Sequence, residues 1–342
     1  MKLDGILPAP PWTQVGATAR RMEELGFDGL LTAELTQDPF LPLALAAATT
    51  ARLDLGTSIA VAFPRSPMHL AQVGRDLQTN SGGRFILGLG SQVKAHVERR
   101  YSASFDRPAA RMREMVLAIR AIWDSWEHST PLKFEGEFFR HTLMTPFFDP
   151  GPSGHGPARI FVAAVGPRMT EVAGEVADGM FVHGFSTERN LRERTLPALE
   201  RGLRKSGRDR ADVELSYPLF VITGEDAAEF EKADAAVREQ IAFYAATPSY
   251  RPVLELHGWG DIQPEMQALA KDGRWKEMGA LLPGELVDAF AVRGAVDELP
   301  VTISKRYGDI IDRVSLYAPY RPEPERWAGL VAAFKELSDV KH

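Results

Sequence analysis

The feature that most constrains this chain is a rhythm: short β-branched or leucine-rich runs alternate with amphipathic stretches along its whole length. Apolar residues recurring at i, i+3, i+4 and i+7 mark helices, and short apolar runs bounded by glycine or proline mark buried strands. Strands are predicted over residues 3–7, 29–33, 53–62, 84–89, 159–164, 179–183, 213–223 and 312–318. Helices are predicted over 11–25, 39–50, 67–79, 107–126, 167–177, 188–205, 226–244 and 324–337. Each strand is thus followed by a helix, which implies a parallel sheet. Eight such units closing on one another give an α/β fold, a (β/α)8 TIM barrel with insertions. Counting alone leaves a doubly wound sheet open. The organisation expected is one barrel domain over 1–342, with a β-hairpin excursion near 132–143 and a helical insertion near 245–307.

Within the helix over 107–126, Met112, Met115, Val116, Ile119, Ile122, Trp123 and Trp126 form one stripe. Methionine and tryptophan at that spacing are read as core. The 342 residues would ordinarily suggest two domains, but α/β barrels use this much chain as one. A formal charge of −6 gives no reason to expect nucleic acid or an anionic membrane as a partner. The chain has no cysteine, which excludes disulfides, thiolate metal sites and cysteine nucleophiles and is compatible with a reducing cytoplasm. Prolines interrupt the apolar start before a signal-peptide core forms, and "LPLALAAATT" is too short to span a bilayer. A soluble, cytoplasmic protein is expected.

The stretch "GGRFILGLGSQVKAHVERRY", Gly82 to Tyr101, looks at first like a nucleotide-binding turn. A dinucleotide fingerprint, however, belongs in the first βαβ unit, with an acidic residue closing the next strand. Here Gly88 and Gly90 end the fourth strand, and Val93 stands where a third glycine would be. In a barrel, strand C-termini form the floor of the active site, where a residue without Cβ lets a flat ligand approach the backbone. A bare glycine turn and a ligand floor that includes Ser91 and Gln92 both fit these residues.

Phosphate loops, nucleophile elbows and H-E-x-x-H metal motifs do not occur in the sequence, and the eight histidines are scattered singly. Metal catalysis and acyl transfer therefore lose their usual signatures. The remaining candidates stand at predicted strand ends. Glu34 closes strand two, Ser58 lies in strand three, and His183 ends strand six. Gly166 and Pro167 open a helix with Arg168 beside free N–H groups, a geometry that suits a phosphate as well as it suits a plain proline start.

The runs "ARRMEELGFDGLLTAE", "DPFLPLALAAATTARLDLGTSIAV", "SPMHLAQVGRDLQTNSGGRFILGLGSQ" and "GPRMTEVAGEVADG" resemble the luciferase-like monooxygenase superfamily. More closely they resemble its F420-dependent oxidoreductase branch, which uses a 5-deazaflavin coenzyme. The resemblance covers nearly the whole chain. It implies a barrel of the bacterial-luciferase type with coenzyme F420 across its C-terminal mouth. It also implies a bulge in strand three at a non-prolyl cis peptide, Ser58-Ile59, behind the ring. Glu34 would then face the ring, and Gly88, Gly90, Ser91 and Gln92 would lie under or beside it and its side chain. Gly166, Pro167 and Arg168 would take the phosphate with Val165 alongside, and the "KAHVERR" segment, His96 included, would meet the tail.

Many relatives carry a histidine directly after the acidic residue of strand two, as active-site acid or base; this chain has Leu35 there. Glu34 and His183 are the substitutes to test for proton transfer. The expected activity is hydride transfer between F420 and a small organic substrate, in a possible homodimer. The rivals are an FMN-dependent monooxygenase of the same superfamily and a deazaflavin or flavin binder without catalysis.

Overall fold

The computed structural model describes residues 1–320 and 324–339. Its strands, in chain order, are β1 (Lys2–Ile6), β2 (Gly29–Thr32), β3 (Asp54–Thr57), β4 (Ala60–Val61), β5 (Phe85–Gly90), β6 (Phe134–Glu135), β7 (Arg140–His141), β8 (Arg159–Ala164), β9 (Gly179–Val182), β10 (Glu214–Ile222), β11 (Ala291–Arg293) and β12 (Arg313–Tyr317). The main sheet runs β10-β12-β1-β2-β3-β5-β8-β9, and β9 pairs with β10 to close the ring. This is the (β/α)8 TIM barrel that the strand count predicts. Its β1–β2, β2–β3, β3–β5, β5–β8 and β10–β12 ladders are parallel, as βαβ connections require. The pair β6–β7 is an antiparallel hairpin outside the barrel.

Three local departures from the predicted elements have physical causes. The run 53–62 is one apolar stretch in sequence, yet it folds as two short strands, β3 and β4, with Ser58 and Ile59 between them. The run 188–205 is helical, but a π turn at Leu191–Thr195 interrupts it, and periodicity does not register one wide turn. The three-residue β11 within the expected helical insertion is too short to show alternation; it adds to β10 at Phe220–Ile222. The rest of that stretch is helical, at Arg251–Leu256, Gln263–Lys271, Trp275–Ala280, Gly284–Phe290 and Leu299–Tyr307.

The chain divides into two compact units. The first comprises Asp4–Phe181 and Pro197–Leu215. Its helix Trp12–Leu25 ends at Gly26, whose φ of 98° is left-handed and favours glycine. The helix Pro67–Asn80 starts on Ser66, whose side chain accepts from the His69 N–H at 3.2 Å. The long helix Pro108–His128 buries the Met112–Trp126 stripe, and Trp123 donates its indole N–H to the Ala71 carbonyl at 2.9 Å. A Cβ at Gly74 would lie 2.8 Å from the Trp123 ring, so glycine there permits the close packing.

The second unit comprises Met1–Leu3, Val182–Leu196 and the residues from Ser216 onward. Its core gathers Phe185, Phe220, Val237, Ile241, Leu254 and Phe290. Phe185 stacks on Phe290 at 4.4 Å, and Phe220 stacks on Tyr317 at 4.6 Å.

Candidate active site

In the first unit the candidate residues gather where β3 breaks. Gly56 pairs with Ile86 in β3, but Ala60 pairs with Leu89 in β4. The β3–β4 segment therefore advances four residues while β5 advances three, which is a bulge of one residue. The Ser58-Ile59 peptide within it is cis, at the position the resemblance implies. The Thr57 hydroxyl bridges the gap in the ladder, accepting from the Gly88 N–H at 2.9 Å and donating to the Gly88 carbonyl at 2.7 Å. Ser58 and Ile59 are left half-buried.

Glu34 completes this bulge. β2 ends at Thr32, so no β2 carbonyl in the ladder reaches Val61; the Val61 N–H donates instead to Glu34 Oε2 at 2.7 Å. Arg65 Nη1 donates to the same oxygen at 2.7 Å, and the Tyr101 hydroxyl donates to Oε1 at 2.7 Å. The Glu34 N–H itself donates to the Ile59 carbonyl at 3.2 Å. Burial, together with the hydrogen bond to Glu34, raises the Tyr101 hydroxyl above the ordinary phenol range. Leu35, the next residue, is 68% exposed, and its carbonyl accepts from Arg100 Nη2 at 2.6 Å.

The glycines of β5 have a different reason from the one expected. A Cβ at Gly88 would lie 1.7 Å from the Thr57 carbonyl oxygen and 2.6 Å from the Phe181 ring. A Cβ at Gly90 would lie 2.6 Å from Ile59 Cγ1. The room these glycines leave is thus taken by the bulged strand. In the Cβ direction they face the Thr57 carbonyl, the Phe181 ring and the Ile59 side chain rather than open space. Gln92 follows in a left-handed conformation (φ 57°), with its own side-chain oxygen accepting from the Val93 N–H at 3.0 Å. The Ser91 hydroxyl donates to the Gln92 carbonyl at 3.2 Å. His96 lies exposed on the short helix Lys94–Arg99.

Val165, Gly166, Pro167 and Arg168 are all exposed, where β8 passes into the helix Pro167–Val176. No side chain caps that helix, and a Cβ at Gly166 would meet nothing within 4 Å. The first N–H groups of a helix have no intrahelical partner.

In the second unit His183 directly follows β9. Its Nδ1 accepts from the Phe185 N–H at 3.0 Å, and its Nε2 lies 2.9 Å from the Tyr250 hydroxyl. The two rings stack at 4.6 Å, and Tyr244 meets both edge-on. Burial pushes the His183 imidazole down to about 4 and the Tyr250 hydroxyl up to about 12. A protonated ring would also turn an Nδ1–H against the Phe185 N–H. Burial and the Phe185 N–H contact thus both favour the neutral imidazole.

Comparison with known proteins fits this geometry. A profile of the family described as luciferase-like monooxygenase matches residues 2–307. The chain belongs to that family. An uncharacterized protein of Mycobacterium tuberculosis is 52% identical over 314 residues, covering 92% of each chain. A putative coenzyme F420-dependent oxidoreductase of the same organism is 30% identical over 299 residues, covering 81% of this chain and 82% of its own. Among solved structures, the coenzyme F420 dependent tetrahydromethanopterin reductase of Methanopyrus kandleri superposes with a TM-score of 0.79. It is 22% identical and covers 96% of each chain, a likeness of fold.

For this luciferase-like protein, sequence reading missed Arg65, Tyr101 and Tyr250. Arg65 and Tyr101 sit 31 and 67 residues from the carboxylate they serve, in segments whose pattern reads as loop or surface. Tyr250 follows Pro248 in a short 3-10 turn of the helical insertion, where no periodicity singles it out. Buried or strand-end carboxylates do require donors, so the signal for the first two was Glu34 itself.

Proposed function

We propose that the protein is an oxidoreductase that moves a hydride between coenzyme F420 and a small organic substrate. The observation that carries this reading is the one-residue bulge between β3 and β4, braced by Glu34, with Ser58 and Ile59 half-buried at its crest. Such a fixed backbone step suits the back of a flat ring. The F420-dependent relative supports the choice of deazaflavin. F420 would supply the redox chemistry, accepting or giving a hydride when bound.

The protein's own residues fit that group. Ser58 and Ile59 would back the ring, with Gly88 and Gly90 holding the bulge from behind. Ser91 and Gln92 would line its side chain, and His96 and Val165 would flank the tail. The phosphate would take the N–H groups after Pro167 and the guanidinium of Arg168, which is exposed and has no recorded partner among the described residues. Glu34 is engaged with three donors, so it acts as a positioning group that fixes Val61, Arg65 and Tyr101.

Fluorescence titration with F420 and with FMN tests the reading. F420 is expected to bind and FMN to bind far more weakly. Tight FMN binding without F420 binding would establish the FMN-dependent alternative. F420 binding with no turnover across alcohols, aldehydes and enones would leave a non-catalytic binder.

A further inference from the structure

We propose that the aromatic cluster of the second unit, His183 with Tyr244, Tyr250 and Tyr317, is a binding site for an uncharged aromatic carbonyl compound. Its oxygen would accept phenolic hydrogens that the cluster does not use itself. Every group named belongs to the second unit, so the proposal does not depend on the F420 reading. The argument is a count of hydrogens. His183 Nδ1 accepts from the Phe185 N–H at 3.0 Å, so the one hydrogen of the neutral ring sits on Nε2. Nε2 lies 2.9 Å from the Tyr250 hydroxyl, so Nε2–H donates and the tyrosine oxygen accepts. The Tyr250 hydrogen then has no recorded acceptor among the described residues. Tyr244 and Tyr317 share one hydrogen bond at 3.0 Å, which uses one of their two hydrogens and leaves the other over. Tyr217 shows the contrary case: it is fully buried and spends its hydrogen on the Ser186 carbonyl at 2.6 Å.

The cluster is continuous and fixed from behind. His183 stacks on Tyr250 at 4.6 Å, and Tyr244 meets these two rings edge-on at 4.9 and 5.9 Å. Tyr317 stacks on the buried Phe220, and the Tyr250 ring lies 5.5 Å from that of the buried Phe185. A Cβ at Gly184 would lie 3.3 Å from the Tyr317 ring, so glycine between His183 and Phe185 lets that ring approach the backbone. All four cluster residues are half-buried. They keep apolar surface for a ring ligand to cover, and side chains already held by stacking lose little freedom when it binds.

Charge sets the ligand class. Burial raises all three phenols, Tyr250 to about 12, so they stay protonated donors at neutral pH. The other influences on them come from one another, and burial alone lowers His183; among the described residues no acidic or basic side chain shifts any of the four. A charged ligand here would lose hydration without meeting a counter-charge. A neutral carbonyl has no such cost, and its oxygen can accept from a phenol.

The test uses the intact, coenzyme-free protein and three probes of similar shape: acetophenone, ethylbenzene, which lacks the oxygen, and benzoate, which is charged. Binding is followed by NMR with 15N-histidine and 13C-tyrosine labels. Acetophenone is expected to bind, with nuclear Overhauser contacts to the Tyr250 and Tyr244 rings and with the His183 hydrogen on Nε2. Ethylbenzene should bind about tenfold more weakly, the worth of one hydrogen bond, and benzoate not measurably. The infrared carbonyl stretch of bound acetophenone should fall below its position in an apolar solvent. Tyr250→Phe should weaken acetophenone about tenfold, leave ethylbenzene within twofold and return the stretch toward its apolar-solvent position.

No binding of acetophenone at millimolar concentration overturns the proposal. So does equal affinity for acetophenone and ethylbenzene, benzoate binding as tight as acetophenone, or a His183 hydrogen on Nδ1. Should Tyr250→Phe fail to fold, the three-probe comparison and the infrared position in wild type decide alone. No coenzyme enters the assay, so failure of the F420 titration leaves this result standing and the two readings fall separately.

Discussion

The bulge around Glu34 and the ring pair of His183 and Tyr250 both follow the C-terminal end of a strand, yet they handle polar groups in opposite ways. At the bulge a charged carboxylate meets a main-chain N–H, a guanidinium and a phenol, each at 2.7 Å. The Thr57 hydroxyl is likewise used on both sides by Gly88. At His183 the groups are neutral, and one hydroxyl hydrogen remains over. The difference teaches where each kind of work is done. A saturated charged network fixes backbone, because withdrawing any partner leaves a buried charge or donor unmet. A neutral cluster with an uncommitted hydrogen can offer that hydrogen to a ligand oxygen.

The sharpest way to break the comparison is at the backbone of the bulge. Gly88→Ala sets a Cβ 1.7 Å from the Thr57 carbonyl, and neither chain can move without disrupting the β3–β5 ladder. A loss of more than about 4 kcal/mol, or failure to fold, is expected in urea unfolding, as for other severe core clashes. A loss below about 1 kcal/mol, within the range of well-tolerated swaps, would mean that the bulge is not rigid. Next in size is Glu34→Gln. The amide turns an NH2 toward one of three donors and removes the charge that Arg65 faces, so about 3 kcal/mol is expected. Arg65→Ala in the same background should then cost little more, because the pair is already broken. Additive losses would show that Glu34 and Arg65 do not work as a unit.

These expectations bear on what could be read in advance. The barrel was legible because eight apolar runs and their helices repeat a period, and a period is a local property. The glycines of β5 were legible as special, but their reason was not. Only the register shift between Gly56–Ile86 and Ala60–Leu89 shows that they accommodate a neighbouring strand. Glu34 stood out as an acid at a strand end, yet its employment depends on Arg65 and Tyr101, brought in by the tertiary fold. His183 stood out for the same reason, and its tautomer depends on one N–H two residues on and one phenol 67 residues away. Sequence pattern names the strand-end groups; the assignment of their hydrogens needs coordinates.

A pH series separates the two regions at a smaller scale. The His183 imidazole lies at about 4 in the folded protein against an ordinary 6.5, so between those values the unfolded chain binds more protons than the folded one. Stability therefore rises with pH across that window; the contribution is complete above 6.5 and is lost as pH falls toward 4. A shift of this size corresponds to something on the order of 3 kcal/mol. The groups facing the ring, Tyr250 and Tyr244, are phenols with raised values and do not titrate there. Thermal melts at pH 4.5 to 7 should show the slope in wild type and in Glu34→Gln, and a flatter curve in His183→Asn. An equal slope in the His183 variant would assign the acid sensitivity elsewhere.

The smallest stability effect is expected where a charge has no internal work at all. Arg168 is exposed beside an uncapped helix start, so Arg168→Ala should change unfolding free energy by no more than about 0.5 kcal/mol. Coenzyme affinity is the opposite case. A guanidinium at the open N–H groups strengthens a phosphate contact, and its removal should weaken F420 binding about tenfold, or about 1.4 kcal/mol. That loss should shrink as salt rises, since an exposed ion pair is screened. Gly166→Ala sharpens the point, because its methyl meets no protein atom within 4 Å and should cost folding only the modest preference of an N-cap for glycine over alanine. A loss of F420 affinity in that variant larger than its loss of stability would point to the coenzyme's own approach to the backbone. Unchanged affinity in both variants would move the phosphate away from this helix, leaving the bulge to carry the site alone.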